Sequence, residues 1–225
     1  MEYLKINSLW KREGWEFNKD NLGIGKNNGK NLIPGEYADP TFEAIKRWRV
    51  DEKIDGTNIR IIFNQELDSE PTVIFGGRTD NAQLPPHLLL HLQRTFTIQT
   101  LQEAFLLEKS KQKVILFGEG YGPKIQSGGY YRSDASFILF DIWVNGWWLK
   151  REDVKAIAQK LSITTVPEIG IMQEEEIIEF VKSKPLSRIA HQAHVMEGVV
   201  CRSDPLLLHR NGKPVMWKLK CKDFE

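Results

Sequence analysis

A lysine stands in the stretch VDEKIDGTNIR, Val50 to Arg60, with Glu52 before it and Asp55, Gly56 and Asn58 after it. Lys53 reads either as a strand-end lysine over a turn or as a nucleophilic amine. The second role requires it to lose its proton near neutral pH, and burial and neighbouring cations both favour that loss. Two candidate cations stand in MWKLKCKDF. Lys218 and Lys220 are two apart, so on a strand they share a face. They could equally line a solvated edge, and Lys220 with Lys222 fits the same spacing.

Other polar residues interrupt apolar runs, which is costly unless they are paired or used. Glu119 lies between glycines in FGEGYG, and its carboxylate suits a pair of ribose hydroxyls. Glu197, in MEGVVCR, could hold a magnesium ion beside phosphates. Phe140, in FILFDIW, could stack on a purine, with Phe137 as the neighbouring choice. Arg78, after Gly76-Gly77, could clamp a phosphate bidentately. Taken singly, these residues also read as turn, core and surface positions.

The order along the chain is K-x-D-G-x-N, G-R, F-G-E-G, F-D, E-G-V-V and K-x-K. This order resembles the covalent nucleotidyltransferase superfamily of ligases and mRNA capping enzymes, from VDEKIDGTNIR to WKLKCKDF. Asn58 is similar to the RNA ligases, because DNA ligases and capping enzymes usually carry arginine there. FGEGYGPKIQSGG resembles the RNA ligase 2 type. The resemblance implies an α+β nucleotidyltransferase (adenylation) fold and an ATP-dependent RNA ligase using Mg2+ or Mn2+. It implies that Lys53 attacks the α-phosphate of ATP to form lysyl-AMP. AMP then passes to an RNA 5′-phosphate, and a 3′-hydroxyl seals the strand. By the same resemblance Glu52 reads the adenine amino group and Asp55, Gly56 and Asn58 complete the nucleotide-binding motif. Arg78 contacts sugar or phosphate and later the RNA end. Glu119 binds ribose, Phe140 stacks on adenine, Glu197 places the metal, and Lys218 and Lys220 bind the α-phosphate. A DNA nick ligase, a guanylyltransferase and a non-catalytic nucleotide- or RNA-end-binding module are the competing readings.

These residues must be carried by a scaffold that the pattern also outlines. WRVDEK, NIRIIF, PTVIFGGR, VILFGEG, FILFDIWV and VMEGVVCR read as strands. Residues 85–109 read as two short helices, and 151–161 and 174–182 as amphipathic helices. Asn145-Gly146 signals a hairpin, LLLH and PVMWKLK a second, and the Gly- and Asn-rich run NLGIGKNNGK a set of turns. Hairpins mixed with helices predict α+β with antiparallel sheets. With no evident linker the expectation is one domain, residues 1–225. The sequence stops soon after the K-x-K segment, so no C-terminal OB domain is expected and a partner could supply what is missing.

A net charge of +1 argues against a purely electrostatic coat on nucleic acid. Basic pairs such as Lys11-Arg12, and Lys182, Lys184 and Arg188, read as a phosphate rim or as solvated faces. His87, His91, His191 and His194 read as structural or surface residues. Two cysteines without ligand spacing predict reduced thiols in a cytoplasmic setting. Neither an N-terminal leader nor a membrane span is expected.

Overall fold

The computed structural model describes residues 2–3, 5–14, 29–67, 69–105 and 111–225. NLGIGKNN, the first eight residues of the Gly- and Asn-rich run, and the expected helix end at 106–109 lie outside the described residues. In chain order the strands begin with β1 (Asn7–Ser8), β2 (Trp10–Arg12), β3 (Leu32–Tyr37), β4 (Trp48–Lys53), β5 (Thr57–Gln65) and β6 (Thr72–Gly76). Then come helices α1 (Pro86–Thr95) and α2 (Ile98–Phe105), and strands β7 (Gln112–Tyr121), β8 (Ser136–Val144) and β9 (Trp147–Trp148). Helix α3 (Arg151–Lys160), strands β10 (Thr164–Thr165) and β11 (Glu168–Met172), and helix α4 (Glu174–Lys182) follow. Strands β12 (Gly198–Ser203) and β13 (Met216–Lys220) end the series.

Two compact units share the chain. The first comprises Met1–Tyr3, Ile54–Val166 and Ile189–Gln192, and the second Leu4–Lys53, Pro167–Arg188 and Ala193–Glu225. The first unit is built on a six-stranded sheet, ordered β10-β8-β7-β5-β6 with β9 beside β8. Ile59, Ile61 and Phe63 of β5 alternate onto one face, which buries them against Leu88, Leu92, Phe96 and Leu101 of the α1–α2 segment and Val154 of α3. The opposite face carries a smaller apolar cluster of Ile54, Tyr121, Tyr131, Ile138 and Val166.

The second unit is built on a five-stranded sheet, ordered β1-β13-β12-β4-β11, with β2 and β3 forming a separate pair. Trp48, Val50, Val199, Cys201, Trp217 and Leu219 point to one face and pack with Ile177 and Val181 of α4. Trp48 and Trp217 meet edge to face at 5.2 Å. Strict alternation then sends Asp51, Lys53, Val200, Arg202, Lys218 and Lys220 to the other face. Helix α4 starts where Glu176 accepts from the Gln173 N–H at 2.7 Å.

Pairing is mainly antiparallel, but β1 runs parallel to β13 and β10 parallel to β8. LLLH turns back on the residues before β13 as a short hairpin, with the His209 N–H on the Lys213 carbonyl at 2.8 Å and the Val215 N–H on the Leu207 carbonyl at 2.9 Å. It extends no further than one bridge, Leu208 to Pro214, and the strand partner of β13 is β12. Leu206, Leu207 and Leu208 are 40–49% exposed, so no sheet face is there to bury them. Pro205 and Pro214 also remove two ladder donors. Among the described residues no helix is long and apolar enough to cross a membrane.

Candidate functional site

In the second unit the sheet register gathers the basic residues. Gly198 of β12 lies opposite Lys53 on β4 and opposite Lys220 on β13. Glu197, just before this strand, therefore stands between two lysines. Its Oε2 lies 2.6 Å from Lys53 Nζ and its Oε1 2.6 Å from Lys220 Nζ. Lys218 sits one pleat further along the same face. Burial, then the charges of Lys53 and Lys220, push its ammonium down from 10.5 to about 8. Lys222, the alternative partner of Lys220, lies exposed on the 3-10 turn Cys221–Phe224.

That turn contributes a residue that sequence reasoning missed. Asp223 accepts from the Lys220 N–H at 2.9 Å and from Arg12 Nη2 at 2.6 Å. The Cys221 N–H bonds the Glu197 carbonyl at 3.0 Å. Lys220 is thus fixed by its backbone as well as by its ammonium. The pattern K-x-x-D at a strand end was the available signal, since it is a cap geometry. Arg12 is a partner in this clamp and not a rim residue. Lys11, Lys182 and Lys184 pair with Glu36, Glu179 and Glu225.

Glu52 points away from the lysines and is 1% exposed. Its Oε2 accepts from the Arg188 N–H at 2.9 Å, while Oε1 is buried with no partner. Burial pushes its carboxyl up against the hydrogen bonds from Ser187 and Arg188. A buried carboxylate with one unused acceptor is an expensive feature. An amino group of a ligand would satisfy it.

The first unit carries the other candidates. Asn58 lies opposite Glu119 across β5 and β7, and Glu119 opposite Ile138 across β7 and β8. Directly opposed residues of antiparallel strands share a face. Phe140 packs with Ile138 in the small apolar cluster on that face. Phe137 is 2% exposed and packs among the helices, edge to face with Phe96 at 5.3 Å. The Asn58 Oδ1 is buried without a partner. Asp55 Oδ2 accepts from the Ser127 N–H at 3.3 Å, and the Asp55 N–H donates to Tyr131 Oη at 3.3 Å. A Cβ on Gly56 would stand 2.3 Å from the Gly120 carbonyl oxygen, so the chain approaches the β7 backbone more closely than any side chain allows. Arg78 is exposed on the loop after β6.

A magnesium or manganese ion fits this donor set only in one way. Among the described residues no group of three or more His, Cys, Asp or Glu could hold a metal, and His87 Nε2 lies instead 3.1 Å from the Pro123 carbonyl oxygen. Glu197 supplies a single carboxylate between Lys53 and Lys220. That suits an ion carried largely by substrate phosphates and water, as Mg2+ usually is.

The family model described as RNA ligase matches residues 46–220. Among solved structures, the chain is similar to a ligand-free variant of the Naegleria gruberi RNA ligase. The match has 19% identity and a TM-score of 0.59, over 82% of this chain and 52% of that one. A variant of that ligase with ATP and Mn matches at 18% identity and TM-score 0.59, over 97% and 62% of the two chains. A variant with AMP and Mn matches at 19% identity and TM-score 0.58, over 96% and 61%. The chain therefore spans about half to three fifths of the length of these ligases. The mixed α+β fold is theirs. A search of curated proteins finds no match.

Proposed function

The chain belongs to the RNA ligase family, and on that premise we propose that it is an ATP-dependent RNA ligase or its adenylyltransferase core. The two compact units act as one adenylation domain in this reading. One observation carries it: Glu197 bridges Lys53 and Lys220 at 2.6 Å each, beside a third lysine held down to about 8. Three cations around one carboxylate leave an excess of positive charge on a half-buried face. A phosphate chain would neutralise it.

Lys53 is the nucleophile. Glu197 takes or orients the ammonium proton, and the amine attacks the α-phosphate. A phosphorus–nitrogen bond forms, the bond to the β-phosphate oxygen breaks, and pyrophosphate leaves. Lys218 and Lys220 hold the α-phosphate and offset the charge that develops on it. A divalent ion held through Glu197 and the phosphates would supply further charge neutralisation. Glu52 accepts from the adenine amino group, Glu119 and Asn58 meet the ribose, and Phe140 stacks on the base. Asp55 and Gly56 hold the turn that follows the nucleophile. AMP then moves to an RNA 5′-phosphate, and a 3′-hydroxyl displaces it to seal the strand. Arg78 contacts the phosphate end. The buried, unbridged Cys201 and Cys221 suit a reducing cytoplasm.

The test is covalent labelling. The protein is mixed with a divalent metal and ATP labelled at the α-phosphate, then run on a denaturing gel beside GTP and Lys53→Ala controls. Label is expected on the wild type with ATP and on neither control. Absence of label with magnesium and with manganese sinks the reading.

A further inference from the structure

Arg60 is a charged side chain that the mechanism above does not use. It lies on β5 between Ile59 and Ile61, both of which face the helices, so it points to the face that carries Asn58. The whole residue is 1% exposed. Burying a guanidinium is costly, and an apolar side chain of similar size would usually stabilise a sheet as well. The cost needs a structural return.

The contacts locate that return. Arg60 lies opposite Gly76 on β6. Its Nε donates to the Gly77 carbonyl at 2.6 Å and its Nη2 to Asp80 Oδ1 at 2.8 Å. A Cβ on Gly76 would come 3.2 Å from the Arg60 Nη2, so glycine there leaves room for the guanidinium to cross β6. Asp80 itself is exposed and reaches back to Arg60. The carboxyl of Asp80 is held low by this same bond. The two anchors flank Arg78 in sequence, one residue before it and two after it. Residues 78–81 are exposed, yet the segment is tied at the Gly77 carbonyl on one side of Arg78 and at the Asp80 side chain on the other.

We propose that Arg60 is a positioning residue for Arg78, holding the β6–α1 loop so that Arg78 meets the phosphate of an RNA 5′ end. The inference rests on the ligase reading. The planar fork of arginine suits it, because one rigid group must bond a carbonyl and a carboxylate together. Lysine keeps the charge but cannot make both bonds in that geometry.

The experiment measures joining of a 5′-phosphorylated RNA nick by wild type, Arg60→Lys, Asp80→Asn, Arg78→Ala and the doubles Arg60→Lys/Arg78→Ala and Asp80→Asn/Arg78→Ala. Lysyl-AMP formation and thermal unfolding are followed in parallel. Arg60→Lys and Asp80→Asn are each expected to raise the KM for the RNA end by roughly tenfold. In the Arg78→Ala background each should add less than about twofold, because its effect passes through Arg78. Asp80→Asn is an exposed change, so it tests the loop even where Arg60→Lys lowers stability. Equal losses in both backgrounds, or no loss with Asp80→Asn, overturn the proposal. A wild type that forms no lysyl-AMP overturns the ligase reading itself, and the role of Arg60 with it.

Discussion

The two units solve different problems with the same device, a sheet with one greasy face. In the second unit the other face is crowded with charge: Asp51, Lys53, Arg202, Lys218 and Lys220, with Glu197 at the strand entry. In the first unit the other face carries Asn58, Glu119 and Phe140 beside a small apolar cluster. The charged face is cross-linked by ion pairs, so its residues depend on each other for stability. Apart from the buried Arg60, the polar-apolar face is set mainly by strand register, so Asn58, Glu119 and Phe140 can be changed one at a time. Substitutions should therefore cost stability in the second unit and chiefly ligand affinity in the first.

The largest expected break is Glu197→Ala. It leaves Lys53 and Lys220 without the carboxylate they share at 2.6 Å. Removing one partner of a largely buried ion pair costs about 3 kcal/mol, to be read as a fall in the urea midpoint. Inorganic phosphate should restore part of the loss by binding the exposed cations. Glu119→Gln is the matched change in the first unit and should cost less than about 1 kcal/mol while weakening ATP binding. Equal losses of stability would erase the contrast.

Next comes Asp223→Ala, which removes the cap on Lys220 and the partner of Arg12. An expected loss of about 2 kcal/mol should accompany slower lysyl-AMP formation. Unchanged unfolding would mean that Lys220 is held by Glu197 alone.

Much of this was legible in the sequence for a definite reason. Period-two alternation in WRVDEK and MWKLK assigns each side chain to a face, and the six segments point to the family. Helix α4 runs over the residues its pattern outlines, Glu174–Lys182. Register was not legible. Nothing in the string aligns Gly198 with both Lys53 and Lys220, or Asn58 with Glu119, because pairing partners are set by packing between distant segments. Short edge strands such as β1 and β10 were missed because two residues carry no period. The role of Arg12 was hidden too, since Lys11-Arg12 reads as a phosphate rim or a solvated face until Asp223 is located.

Lys218 sharpens the comparison through pH. Its folded value of about 8 lies below the ordinary 10.5, so the unfolded chain binds more protons between these values. Stability should therefore rise with pH across that window. Activity should move the other way. A neutral amine cannot offset phosphate charge, so kcat/KM for ATP should fall above pH 8, approaching tenfold per pH unit. Lys218→Arg keeps its charge and should flatten that limb. A limb that survives in Lys218→Arg belongs to another group.

The smallest expected effect has the opposite sign. Glu52 is buried with Oε1 unpartnered, and burial holds its carboxyl up. Its folded form binds a proton more tightly than the unfolded chain, so its contribution to stability declines as pH rises above the unfolded value of 4.5. Glu52→Gln removes the buried charge and should stabilise the protein near neutral pH by about 1 kcal/mol. The amide, however, can turn its NH2 toward the position where an adenine amino group would donate. Selectivity for ATP should then weaken while the protein becomes harder to unfold. This is the signature of a residue retained for a ligand at the expense of stability. Were Glu52→Gln less stable and equally selective, the carboxylate would be part of the framework. The contrast between a self-supporting charged face and a ligand-dedicated one would then have to be redrawn inside the second unit.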